Sequence, residues 1–173
     1  MSAPEFSRPI DVRQADGRDV TLTANEKERA ALAARFGLVR VDRLVAQVTL
    51  DRAGEAVNVA GTLSADIVQS CAVSAEDLPV AIREPLSFRF VPAAAGHRPD
   101  EEIELDAEEL DEIDYVGTSF DLGEAVAQSL ALAIDPFAIG PKAEEARRKA
   151  GLLSEGEAGP FAALKGLLGK DAG

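Results

Sequence analysis

Residues 38–68, LVRVDRLVAQVTLDRAGEAVNVAGTLSADIV, decide the fold. Leu38, Val39, Val41, Leu44, Val45, Val48 and Leu50 make one extended segment, and Asp51-Arg52-Ala53-Gly54 supplies a turn. Val57, Val59, Gly61, Leu63, Ala65 and Ile67 then alternate strictly with Asn58, Ala60, Thr62, Ser64 and Asp66. Period-two alternation sends successive side chains to opposite faces, which is the mark of a half-buried strand. Segments joined by so short a turn pair antiparallel, because a parallel pair needs a crossover of a dozen or more residues. Residues 38–50 and 55–68 therefore form a hairpin.

Further strands flank this hairpin. On its C-terminal side, Val80, Ile82, Pro85, Phe88 and Phe90 mark a third long extended segment. On its N-terminal side, Phe6, Pro9, Ile10 and Val12 form a short extended segment broken at Ala15-Asp16-Gly17, and Val20 and Leu22 alternate with Thr21 and Thr23. Between these and the hairpin the pattern changes to a helix from Asn25 to Phe36. Thr23 or Asn25 caps it, Glu26 and Glu28 favour its positive end, and Gly37 stops it. Its apolar positions are Ala30, Leu32, Ala33 and Phe36. A second helix begins at Asp121, with Glu124 at capping-box spacing, and Pro136 ends it. Leu122, Val126, Leu130 and Ala133 lie along one face, with Ala125 and Leu132 beside them. The fold class predicted is α+β: a curved, mainly antiparallel sheet of about five to seven strands with two main helices. One domain over residues 1–140 is expected, followed by a polar, Gly/Ala-rich, flexible tail over 141–173. Short helices are expected in that tail at Ala143–Ala150 and Pro160–Leu168.

Charge is distributed unevenly. The 173 residues carry 18 Lys and Arg against 31 Asp and Glu, a net charge of −13. Residues 100–124, DEEIELDAEELDEIDYVGTSFDLGE, hold twelve acids and no base. Phosphate recognition needs clustered Lys and Arg, so the balance weighs against direct nucleic-acid binding. The single cysteine, Cys71, forbids an intramolecular disulfide and a Cys-rich zinc site. Neither a signal-peptide apolar core nor a membrane-length apolar run occurs, so the location expected is the cytoplasm.

Enzyme signatures are lacking. His97, the one histidine, lies in an Ala-Gly-His-Arg-Pro loop with no G-x-S-x-G near any serine. Phosphate cradles of the G-x-x-x-x-G-K-[ST] and G-x-G-x-x-G types do not occur. The acidic segment lacks the D-x-[DN]-x-[DN]-G spacing of a calcium loop. No cofactor and no metal are expected, and Cys71 reads as a half-buried strand end. The segment is either a solvated run without a specific role or a negative surface offered to a basic partner. Asp100, Glu101, Glu102, Glu104, Glu108, Glu109, Asp111, Glu112 and Asp114 would carry its electrostatics. Phe161, Leu164 and Leu168 fall on one face of a short helix, which either docks back on the domain or supplies an apolar anchor in a partner's groove.

Several stretches together resemble the YceD family. They are FSRPIDV at 6–12, ERAALAARFGLVRVDRL at 28–44, VAGTLSADIVQSCAVSAEDLPVAIREPLSFRF at 59–90 and FDLGEAVAQSLALAIDPF at 120–137, with the acidic segment in its place before the last. GPFAALKGLL at 159–168 resembles the family's closing Asn-Pro-Phe-type segment. Many members carry C-x-x-C where this chain has Cys71-Ala72-Val73-Ser74, and some carry a later cysteine near the position of Pro136–Pro141. Cys71 matches the first cysteine alone, so no metal or redox role carries over. The resemblance implies a bacterial factor supporting accumulation of the large-subunit 23S rRNA, with relatives in plant organelles. The gene of a zinc-ribbon large-subunit ribosomal protein commonly neighbours that of a family member, which makes that protein a candidate partner.

The expectation is thus a non-catalytic ribosome-biogenesis factor that binds a basic ribosomal or processing protein, with rRNA contacted indirectly. An alternative is direct rRNA binding through Arg8, Arg13, Arg18, Arg35, Arg40 and Arg43, which are interleaved with acids and short of stacking aromatics. A further alternative is a metal-dependent hydrolase built on the acidic segment, for which no His-containing ligand set is visible.

Overall fold

A computed structural model describes residues 4–93 and 111–151. In chain order they form β1 (Pro9–Asp11), a 3-10 turn at Val12–Gln14, β2 (Arg18–Thr23), α1 (Glu26–Phe36), β3 (Arg40–Ala53), β4 (Ala56–Ser70), β5 (Asp77–Pro92), β6 (Asp111–Tyr115), β7 (Ser119–Asp121), α2 (Leu122–Ala133) and α3 (Ala143–Lys149). The chain divides into two compact units: Met1–Gln69 with Pro79–Asp135, and Ser70–Leu78 with Pro136–Gly173.

The first unit holds an open five-stranded sheet of order β2-β3-β4-β5-β6 and a two-stranded sheet of β1 and β7. β2 with β3, β3 with β4 and β1 with β7 are antiparallel, so the α+β, mainly antiparallel expectation holds. The hairpin has the expected register, with Asp51 opposite Asn58 and Leu44 opposite Ala65. Its inner face is phased by a bulge. Val41 and Leu44 are both buried although three residues apart, because the register shifts between Val41 and Arg43. One extra residue in a strand reverses which side chains face inward. From Leu44 onward, Ala46, Val48 and Leu50 then point into the core. Val48 sits opposite Gly61, where a Cβ would run into the Gln47 carbonyl and lie 2.6 Å from Val48 Cα. A glycine is thus required for the two strands to approach.

α1 is capped at both ends as its sequence demands. The Asn25 side chain accepts from Glu28 N–H at 3.0 Å, and the Glu28 carboxylate returns a bond to Asn25 N–H at 2.8 Å. Gly37 closes the helix in the left-handed conformation, φ 65°. Leu32 and Ala33 are buried and Phe36 half-buried, whereas Ala30 is exposed and belongs to no core stripe. α2 buries Leu122, Ala125, Val126, Ala127 and Leu130. Leu132 is 86% exposed, on the side of the helix away from the core that buries Leu130. In β5 the inward residues are Ile82, Leu86, Phe88 and Phe90, and Pro85 is exposed. The buried Gln69 satisfies its amide on the Asp135 carbonyl at 2.7 Å.

In the second unit, a turn at residues 71–76 is closed by bonds from Ala75 N to Cys71 O at 3.1 Å and from Cys71 N to Glu76 O at 2.7 Å. Ala75 takes a positive φ of 58° there. Ala72 N donates to Ala138 O at 3.0 Å, and Lys142 pairs with Glu76 at 2.8 Å. α3 carries Glu144 and Glu145 in its first turn and Arg147, Arg148 and Lys149 in its last, the order that suits the helix dipole.

Candidate partner-binding surface

The described part of the acidic segment is a strand. Asp111, Glu112 and Asp114 lie on β6, where continuous backbone pairing sets Phe88 opposite Asp111, Arg89 opposite Glu112 and Val91 opposite Asp114, in parallel. All three acids are exposed, while Ile113 is half-buried and Tyr115 buried. Period two explains the split: Ile113 and Tyr115 look inward, and Glu112 and Asp114 share the solvated face. Asp100, Glu101, Glu102, Glu104, Glu108 and Glu109 lie outside the described residues, as do His97, Phe161, Leu164 and Leu168.

Apolar anchors hold the strand in place. Tyr115 is 8% exposed and its hydroxyl donates to the Glu55 carbonyl at 2.6 Å. Burial, reinforced by the Glu55 charge, pushes its phenol above the ordinary range. Beside it, the Phe120 ring lies 6.3 Å from Tyr115 and stacks on Phe90 at 4.2 Å. The β6 carboxylates therefore sit on a fixed backbone, with one basic neighbour in reach among the described residues: Arg89 approaches Glu112 at 3.9 Å. Sequence reasoning did not find Arg89, because neither the β5–β6 register nor its parallel sense is written in local patterning.

The arginines of the N-terminal half are disposed differently. Arg8 donates to both Glu28 oxygens at 2.7 and 3.0 Å. Arg13 is held by Asp11 at 2.8 Å, Arg40 by Asp42 at 2.8 Å and Arg43 by Asp66 at 2.8 Å. Arg35 is shared between Glu5 and Glu124. These pairs lower the carboxyls of Asp11, Glu28, Asp66 and Glu124, with the arginine hydrogen bond as the largest cause in each. Among the described residues, five of the six arginines considered for RNA binding are thus engaged by acids, and Arg18 stands apart from them.

Cys71, expected to be half-buried, is buried, and its surroundings are polar. Its sulfur accepts from Ser74 N–H and from Gly140 N–H, each at 3.3 Å. The Ser74 side chain foremost, then these backbone donors, bring the thiol down to about 6. No basic residue is needed for this, which is why charge spacing along the chain did not reveal it. Among the described residues no three His, Cys, Asp or Glu side chains converge as a metal site, and no helix is long and apolar enough to cross a membrane.

In comparison with known proteins, a family model described as "Large ribosomal RNA subunit accumulation protein YceD" matches residues 59–168, well over half of the chain. No curated protein and no solved structure matches it.

Proposed function

The chain belongs to the YceD family of large ribosomal RNA subunit accumulation proteins, and from that premise we propose that it supports accumulation of 23S rRNA without catalysis. It does so by binding a basic protein of the large subunit or of the rRNA-processing machinery through its acidic surface. The observation that carries this reading is the unequal use of charge. Asp111, Glu112 and Asp114 stand exposed, and among the described residues their one ion pair is the 3.9 Å approach of Arg89 to Glu112. Arg8, Arg13, Arg35, Arg40 and Arg43 are by contrast held by acids at 2.7 to 3.0 Å. Phosphate binding draws its free energy from cations that displace counterions, and a guanidinium already held by a carboxylate contributes little. Uncompensated carboxylates steer and hold a basic partner, more strongly at low salt. Ribosomal RNA is then reached through that partner.

Affinity capture of the tagged full chain from its own cell extract tests this, at low and high salt and with and without RNase. Basic ribosomal or processing proteins should survive RNase, leave at high salt, and be depleted by the triple substitution Asp111→Asn, Glu112→Gln, Asp114→Asn. Capture that vanishes with RNase, or that ignores both salt and the substitutions, overturns the proposal.

A further inference from the structure

We infer that the outer edge of β6 receives a basic, extended segment of the partner as an added strand of the sheet. This rests on the acidic-surface reading above and specifies how the partner is held. β6 ends the five-stranded order, and among the described residues no strand lies beyond it. The strand that follows it would ordinarily fold back alongside, but does not. After the turn at Val116–Thr118, with Gly117 at φ 82°, β7 pairs with β1 instead, Phe120 opposite Ile10 and Asp121 opposite Pro9. Asp121 secures this diversion by accepting from Ser7 Oγ at 2.6 Å and from Arg8 N–H at 2.8 Å.

An edge strand presents a row of backbone donors and acceptors that another strand can complete. On β6 that row is rigid, since Tyr115 is fastened to the Glu55 carbonyl and Ile113 packs against the core. Less ordering is therefore required when a partner docks. The side chains choose the occupant. Glu112 and Asp114 flank the edge on the solvated face and Asp111 on the other, so a second copy of β6 would set like charges against one another. A segment alternating Lys or Arg with apolar residues meets carboxylates instead, while its backbone completes the edge.

The test uses the full chain and two short fluorescent peptides alternating Lys and Val, identical except that one has its central backbone amides N-methylated. By anisotropy at low salt the unmodified peptide should bind, and the methylated one should bind about tenfold or more weakly. Amide exchange at residues 111–115 should slow with the unmodified peptide. Equal binding of both peptides, weakened in both cases by the Asp111→Asn, Glu112→Gln, Asp114→Asn variant, overturns strand addition and leaves the acidic-surface reading standing. Binding that the variant does not affect, or no binding of either peptide, overturns both. A concentration-dependent dimer that protects the same amides without peptide assigns the edge to a second copy and overturns the proposal.

Discussion

Arg35 on α1 grips Glu124 in the first turn of α2 through both terminal nitrogens, at 3.0 and 2.8 Å, and its Nη1 also meets Glu5 at 3.0 Å. Three segments distant in sequence are tied at one guanidinium. The contact also explains why α2 has half of its expected capping box. Asp121 accepts from Glu124 N–H at 3.1 Å, but the Glu124 carboxylate turns to Arg35 rather than back to the cap. A charged bidentate bond outcompetes a single bond to a backbone N–H.

Arg35→Ala should cost about 1 kcal/mol at neutral pH, as expected for a partly exposed ion pair with good geometry. The pH dependence has a definite sign. Arg35 holds the Glu124 carboxyl, and Arg8 the Glu28 carboxyl, below the ordinary range. A carboxyl depressed by folding stabilises fully above its unfolded pKa, near 4.3, and that contribution fades as pH falls through the lower folded value. Urea unfolding at pH 7 and in the acid range should show the Arg35→Ala penalty shrinking on acidification. A penalty independent of pH would contradict this account.

Gly61→Ala should be far more damaging than a surface change. The new methyl would meet the Gln47 carbonyl and Val48 Cα at 2.6 Å, both backbone atoms of a central strand that cannot yield cheaply. A loss of about 3 kcal/mol or more is expected, read as a lower urea midpoint. Gly54→Ala, at the exposed hairpin turn with φ 66° and open space around it, should cost about 1 kcal/mol for its backbone conformation alone.

Tyr115→Phe removes one buried hydroxyl and leaves the Glu55 carbonyl without that donor. About 1 kcal/mol is the expected cost. Because this bond fixes the end of β6, amide exchange at residues 111–115 should accelerate more than exchange in β3 or β4. Uniform acceleration across the sheet would mean that the bond does not anchor the strand.

Cys71 should titrate near 6, seen as thiolate absorbance around 240 nm that is absent in Cys71→Ser. Ser74→Ala should move that midpoint upward, since the Ser74 side chain is the largest cause of the shift. With 4% exposure, the thiolate should still react slowly with bulky thiol reagents. Fast labelling at pH 7 would show that the turn around Cys71 opens readily.

By itself the sequence determined the elements whose cause is local. The 38–68 hairpin follows from alternation and a short turn, and α1 from Asn25, Glu28 and Gly37, whose side chains and φ angle act within a few residues of each other. The acidity of residues 100–124 is likewise a matter of composition. Tertiary structure alone decided where Glu112 and Asp114 stand, since β6 lies parallel to a strand some twenty residues earlier and no periodicity records that register. It decided that Arg8, Arg35 and Arg43 are spent on acids, because Arg35 meets Glu124 across 89 positions of chain. It decided too that Leu132 is exposed and that Cys71 rests against Gly140. Alternation and capping are written in neighbouring residues, whereas register, ion pairing and burial depend on which distant surfaces the folded chain brings together.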